Sequence, residues 1–273
     1  MPDAHQSIGL FDSGIGGLTV ANAILDELPN ENLIYFGDTA HLPYGDKSAD
    51  TIRYFAKTIG SFLLGKDCKI IIIACNTASA VAYEMLQNMA GEKAYVFSVI
   101  EPVVDYILKN KYRKVGVIGT LGTVNSKVYQ HKIEQRDASI QVSQLATPLL
   151  APMIESGFAH GEISHLVIEE YLNKPELADI ECLVLACTHY PLIKKEIVAY
   201  YAKHNRKVDV LATNQIVAKH IKHFLIENGL VNFEPKAHHE FYVSDFTESF
   251  EKTTQYFYKE KIHLIKFRVF FNL

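Results

Sequence analysis

Short runs of apolar, β-branched residues recur along this chain, and amphipathic stretches of helical period fill the gaps between them. The runs lie at 7–11, 33–37, 70–74, 94–99, 114–119, 183–186 and 207–211. Each is as long as a strand and lacks the polar alternation of a sheet face open to water, so each reads as a strand buried on both faces. Helical patterns occupy 17–28, 48–64, 78–89, 102–109, 126–136, 161–172, 191–204, 215–228 and 246–258. In 48–64, Ser48 suits an N-cap, and Ile52, Phe55, Ile59, Phe62 and Leu63 share one side. Alternation this dense specifies an α/β fold built on parallel sheets.

Ligands of such sheets sit beyond the carboxyl ends of the strands. Those ends carry "FDSGIGG" (11–17), "GDTAHLPYG" (37–45), "CNTAS" (75–79), "TLGTVNS" (120–126) and "CTHYP" (187–191), all rich in hydroxyl, amide, carboxylate or glycine groups. Two of the tips repeat one pattern. "IIIIACNTASA" and "LVLACTHYPLI" each run from apolar residues into Ala-Cys and then into polar residues, and their cysteines, Cys75 and Cys187, lie close to half the chain apart. The pattern predicts two similar α/β units that each bring one thiol to a shared cleft. A strand-to-helix junction places a sulfur near a positive helix end, which favours a thiolate. Two facing thiols allow one to remove a proton from a tetrahedral carbon while the other returns a proton to the opposite face, which inverts configuration.

Composition excludes several classes. Net charge is −4, with 27 basic and 31 acidic residues mixed along the chain, so no basic block offers itself to nucleic acid. No apolar run approaches the length of a membrane span, and the first residues lack the pattern of a signal peptide, so a cytoplasmic protein is the expectation. No Cys-x-x-Cys occurs; Cys68 and Cys182 read as packing residues. "DSGIGG" resembles part of a dinucleotide fingerprint, but Val20 stands near the place of the third glycine, and a tight turn explains the others. "AHHE" (237–240) reads as a solvated turn, and Tyr200-Tyr201 as a helix face packed on a sheet.

Six separated segments, "IGLFDSGIGGLTV", "YFGDTAHLPYG", "IIACNTASA", "VIEPVV", "VIGTLGTVNS" and "LACTHYPLI", resemble the bacterial glutamate racemases of the aspartate/glutamate racemase superfamily, in family order, from about Ile8 to Phe246. The resemblance implies two similar parallel-sheet α/β domains with the active site in the cleft between them. It implies cofactor-independent interconversion of L- and D-glutamate, with D-glutamate feeding peptidoglycan, and no metal. By motif, Cys75 and Cys187 match the acid/base pair, the first expected to act on D-glutamate and the second on L-glutamate. Asp12 and Ser13 match a substrate-binding pair, with Asp12 near the amino group and one thiol. Pro43, Tyr44 and Gly45 match a segment that holds carboxylate oxygens. Asn76, Thr77, Thr188, Thr120 and Thr123 match further polar contacts, and Glu155 and His189 match residues assisting the second cysteine. Asp38 reads first as a cap for the loop before Tyr44.

The first domain is expected to hold 8–99 plus 211–268, and the second 100–210. A homodimer is compatible with the resemblance, whereas nucleic-acid and membrane partners are not expected. Ala212-Thr213 departs from the family's polar loop, and the tail is expected to form a strand over 262–271. Two other readings compete. An aspartate racemase of the same superfamily would share the thiols, whereas a two-lobed clamp for a small anion would have no use for a reactive sulfur on each lobe.

Overall fold

The computed structural model describes residues 2–245, 254–259 and 261–269. Its strands are β1 (Ile8–Asp12), β2 (Leu33–Gly37), β3 (Ile70–Ile73), β4 (Tyr95–Ser98), β5 (Lys114–Gly119), β6 (Gln141–Ala146), β7 (Cys182–Ala186), β8 (Asp209–Leu211), β9 (His239–Val243) and β10 (Leu264–Lys266). The helices are α1 (Leu18–Glu27), α2 (Ala49–Gly65), α3 (Asn76–Ala90), α4 (Glu101–Lys109), α5 (Leu121–Asn125), α6 (Val128–Arg136), α7 (Leu150–Glu155), α8 (Glu162–Leu172), α9 (Lys194–Lys203) and α10 (Thr213–Glu227). The strands form a six-stranded sheet in the order β10-β9-β2-β1-β3-β4 and a four-stranded sheet in the order β6-β5-β7-β8. Every pairing is parallel. No described helix is long and apolar enough to cross a membrane.

Each sheet has its continuous apolar strands at the centre. β1 sits between β2 and β3, with Ile8 opposite both Leu33 and Ile70. All four isoleucines of β3 are buried. Gly9 lets the Cys68 side chain pack closely, because a Cβ there would lie 2.9 Å from the Cys68 sulfur. Cys68 and Cys182 are buried in the cores, as expected of packing residues, and so are Tyr200 and Tyr201 on α9. α2 begins where Ser48 accepts from the Thr51 N–H at 3.2 Å. Its face of Ile52, Phe55, Ile59 and Leu63 is buried.

Several elements differ from the sequence reading. β6 is not evident in the sequence because "QVSQLA" is half-exposed and half polar, with Ser143 and Gln144 adjacent, unlike its buried neighbours. The segment read as a solvated turn at 237–240 instead enters β9, where His239 and Glu240 pair with Leu33 and Ile34 on the open edge of β2. Main-chain pairing there tolerates polar side chains, and Glu240 is held by Lys66 at 2.9 Å. The helix expected over 126–136 starts at Val128 as α6, after Lys127 adopts a left-handed conformation (φ 53°), and the short α5 precedes it over Leu121–Asn125, where no helix was expected. The helix expected over 191–204 opens as a 3-10 turn (Tyr190–Ile193) before α9. Of the helix expected over 246–258, residues 254–257 are helical, and 246–253 lie outside the described residues. Of the tail strand, Leu264–Lys266 forms β10 beside β9, and residues 270 and 271 lie outside the described residues.

Candidate active site

The carboxyl ends of β1 and β3 face those of β5 and β7 across a cavity of about 210 Å³. Cys75 and Cys187 both line it, each 7% exposed, one from the end of each sheet. Cys75 is the N-cap residue of α3. Cys187 follows β7 but precedes only the 3-10 turn, so it lacks the α-helix N-terminus that the sequence reading assigned to it.

Glycines let the two sheets' loops meet. A Cβ on Gly16 would lie 2.4 Å from the Thr188 hydroxyl oxygen and 2.5 Å from the His189 ring, and one on Gly122 would lie 2.8 Å from the Thr77 methyl. Thr19 closes the same seam by donating its hydroxyl to the Thr188 carbonyl at 2.8 Å. On the far side of the cavity, the Thr77 hydroxyl lies 2.9 Å from that of Thr120 and 3.1 Å from that of Thr123.

The expected site residues converge with two exceptions. Ser13, Pro43, Tyr44, Gly45, Asn76, Thr77, Thr120, Thr188, His189 and Glu155 line the cavity with the two cysteines. Asp12 does not. It is wholly buried behind the cavity, where its carboxylate accepts from the Gly17 N–H at 2.9 Å and the Gly14 N–H at 3.3 Å. The glycine turn therefore spends those N–H groups on a carboxylate of its own chain. Thr123 also lies behind the wall, reaching the cavity only through Thr77 and Thr120. Asp38 accepts from the Tyr44 hydroxyl at 2.6 Å and from Ser244 at 2.8 Å, so it fixes the loop, in line with the capping role. Thr213 turns its hydroxyl to the Leu185 carbonyl at 3.3 Å. Leu42, Ala151 and Pro152 also line the cavity, although nothing in their type marked them out. The last two arrive on α7, a short helix with no periodic signature.

The electrostatics differ between the two sides. Burial pushes the Cys75 thiol up to about 12, and the Asp12 charge adds to that, against the opposing Ala78 N–H and the Ser13 hydroxyl. The thiolate preference expected from the helix end is thus overridden at Cys75, because desolvation of a buried anion outweighs two donors. The Asp12 carboxyl is likewise raised by burial, although His189 and the backbone N–H groups of Gly17, Gly14 and Ser13 oppose the shift. On the other side, the Cys187 sulfur lies 3.7 Å from His189 Nδ1, and His189 Nε2 lies 2.7 Å from Glu155. The Phe257 ring packs edge-on against His189, 5.2 Å between centroids. Burial alone would depress the imidazole, but its hydrogen bonds to Cys187 and Glu155, with their charges, push His189 up to about 10.

The arrangement offers a protonated thiol on one wall and a thiol beside a cationic relay on the other. The family model for Asp/Glu/hydantoin racemase matches residues 18–221. Glutamate racemase of Geobacter metallireducens is 39% identical over 249 residues, 90% of each chain. That of Aquifex pyrophilus is 41% identical over 230 residues, 84% of this chain and 87% of its own. The crystal structure of glutamate racemase from Francisella tularensis in complex with D-glutamate superimposes with a TM-score of 0.90 at 37% identity, covering 97% of this chain and 98% of that one. An aspartate racemase homologue from Pyrococcus horikoshii shares the fold at 18% identity and a TM-score of 0.53. With the family model matched over most of its length and relatives near 40% identity, this chain belongs to the Asp/Glu/hydantoin racemase family, among its glutamate racemases.

Proposed function

We propose that this chain interconverts L- and D-glutamate by two-thiol acid/base chemistry, without an added cofactor, and so supplies D-glutamate for peptidoglycan. The observation that carries the reading is the opening of Cys75 and Cys187, from different sheets, into one cavity. With L-glutamate, Cys187 as thiolate removes the α-proton, and Cys75 as thiol delivers its own proton to the opposite face. With D-glutamate the roles exchange. The free enzyme carries Cys75 protonated, the form needed to act on the L enantiomer.

The carbanion formed between the two transfers needs donors on the α-carboxylate in a site shielded from bulk water. The Asn76 amide and the hydroxyls of Ser13, Thr77, Thr120 and Thr188 belong to residues that line the cavity and are candidates for these donors. The lobes we infer, 8–99 with 211–268 and 100–210, would part to admit the charged substrate and close over it.

The direct test follows L-glutamate in D₂O by proton NMR and circular dichroism, with no cofactor added. Loss of the optical signal together with deuterium at the α-position is the expected result. Exchange with aspartate but not glutamate would transfer the activity to the aspartate enzymes. Binding of glutamate without exchange would leave only an anion clamp.

A second expectation concerns the His189 relay. The imidazolium persists through neutral pH and is lost as pH rises through about 10, so activity that uses it should fall there. Glu155→Gln removes one of the charges that raise His189, and the alkaline limb of kcat/KM should move down by about one pH unit. A limb that stays in place would show that Glu155 does not act through His189.

A further inference from the structure

Tyr129 lies on α6, and its ring packs in the core beneath the four-stranded sheet, with Val103, Val104, Val117 and Ile133 in the same cluster. Its hydroxyl leaves that core and donates to Asn76 Oδ1 at 2.7 Å. Asn76 belongs to the other half of the molecule, as the first residue of α3 and the neighbour of Cys75. The bond therefore joins the second lobe's core to the cavity wall of the first. Asn76 Nδ2 is buried and has no hydrogen-bond partner among the described residues, although Asn76 lines the cavity. A buried amide donor without an acceptor costs free energy unless a ligand supplies one.

Chemistry fixes which way this amide faces. Burial, and after it the Glu101 charge, push the Tyr129 phenol up, so it keeps its proton. A buried phenol O–H needs an acceptor, and an amide offers one only through its oxygen. With Oδ1 committed to Tyr129, the NH₂ end must point away from it.

We propose that Tyr129 is a positioning residue that locks the Asn76 carboxamide with its NH₂ presented to the substrate's carboxylate, a role that rests on the racemase reading above. Without the phenol, the amide can rotate and offer its oxygen to an anion, which repels it. The bond also couples substrate binding to the approach of the two lobes, because its halves belong to different sheets.

Tyr129→Phe keeps the packed ring and deletes only the hydroxyl. The expected result is a rise in KM of about tenfold for both enantiomers, with a smaller change in kcat. The effect should vanish in an Asn76→Ala background, where no amide remains to be oriented. A fall in kcat/KM of the same size in both backgrounds would mark Tyr129 as structural only and overturn the proposal. So would a Tyr129→Phe enzyme within twofold of wild type.

Calorimetric binding of glutamate to the same proteins separates this proposal from the racemase reading. If wild type binds glutamate but does not racemise it, the proposal is still judged by the rise in Kd in Tyr129→Phe. If wild type neither binds nor racemises it, both fall. Should Tyr129→Phe fail to melt cooperatively, Asn76→Asp tests the bond from the other end. It keeps an acceptor for Tyr129 but turns a second oxygen to the cavity, so glutamate binding should weaken at least about tenfold. Unchanged binding would overturn the proposal.

Discussion

Replacing either Cys75 or Cys187 by serine is expected to lower kcat for racemisation by about a thousandfold or more at neutral pH. A hydroxyl is a far poorer acid and base than a thiol, and each sulfur must serve as both over a full cycle. The loss must be the same in kcat/KM for the two directions, since enantiomers have equal free energy and the equilibrium constant cannot move. Single-enantiomer exchange in D₂O then separates the faces. A surviving thiolate can still wash deuterium into the enantiomer whose α-proton points at it, without inverting that enantiomer. In Cys187→Ser this residual exchange should be confined to D-glutamate, and in Cys75→Ser to L-glutamate. The Cys75 thiol, held near 12 by burial and by Asp12, suits reprotonation of a carbanion, which is a much stronger base than any thiolate. A serine variant with more than about a tenth of wild-type racemisation would remove that cysteine from the chemistry.

Much of this site was legible because the chemistry lies where an α/β fold puts it. Runs such as "IIIIA" and "LVLA" name central strands by apolar content alone, and the polar residues after them must then gather at one edge. What stayed hidden depends on partners distant in sequence. β9 forms because β2 has an open edge, a condition invisible in "HHEFYV" itself. Asp12 looks like a ligand-facing carboxylate, yet the turn it precedes folds back so that Gly14 and Gly17 donate to it. Gly16 looks like a turn glycine, and only the meeting of the two sheets shows that Thr188 and His189 need its missing side chain. The raised Cys75 thiol follows from burial between two lobes, whereas a sequence shows only the favourable helix end.

The opposite end of the six-stranded sheet holds the group whose loss should cost the most stability. Lys69 and Glu31 form an ion pair at 2.6 Å with side chains 0% and 1% exposed. The ammonium also donates to the Leu230 carbonyl at 2.8 Å and to the Ala4 carbonyl, and the carboxylate accepts from the Asn232 N–H at 2.8 Å. These contacts tie together the segments that enter β1, β2, β3 and β9, so the returning chain is fastened to the first sheet there. Burial is the largest influence on both groups, raising the Glu31 carboxyl and lowering the Lys69 ammonium in spite of their mutual attraction. Each charge is therefore costly in place and tolerated only because the other is present. Lys69→Met should destabilise the fold by about 3–5 kcal/mol in urea unfolding, because it strands a buried carboxylate. Adding Glu31→Leu should recover part of that loss, making the double variant more stable than Lys69→Met alone, though the Asn232 N–H then lacks its acceptor. Because the pair lies at the amino ends of the strands, the folded Lys69→Met enzyme should keep kcat/KM within about twofold of wild type. A loss below about 1 kcal/mol would mean that water reaches Glu31 once the lysine is gone, and that the pair does not fasten the lobe.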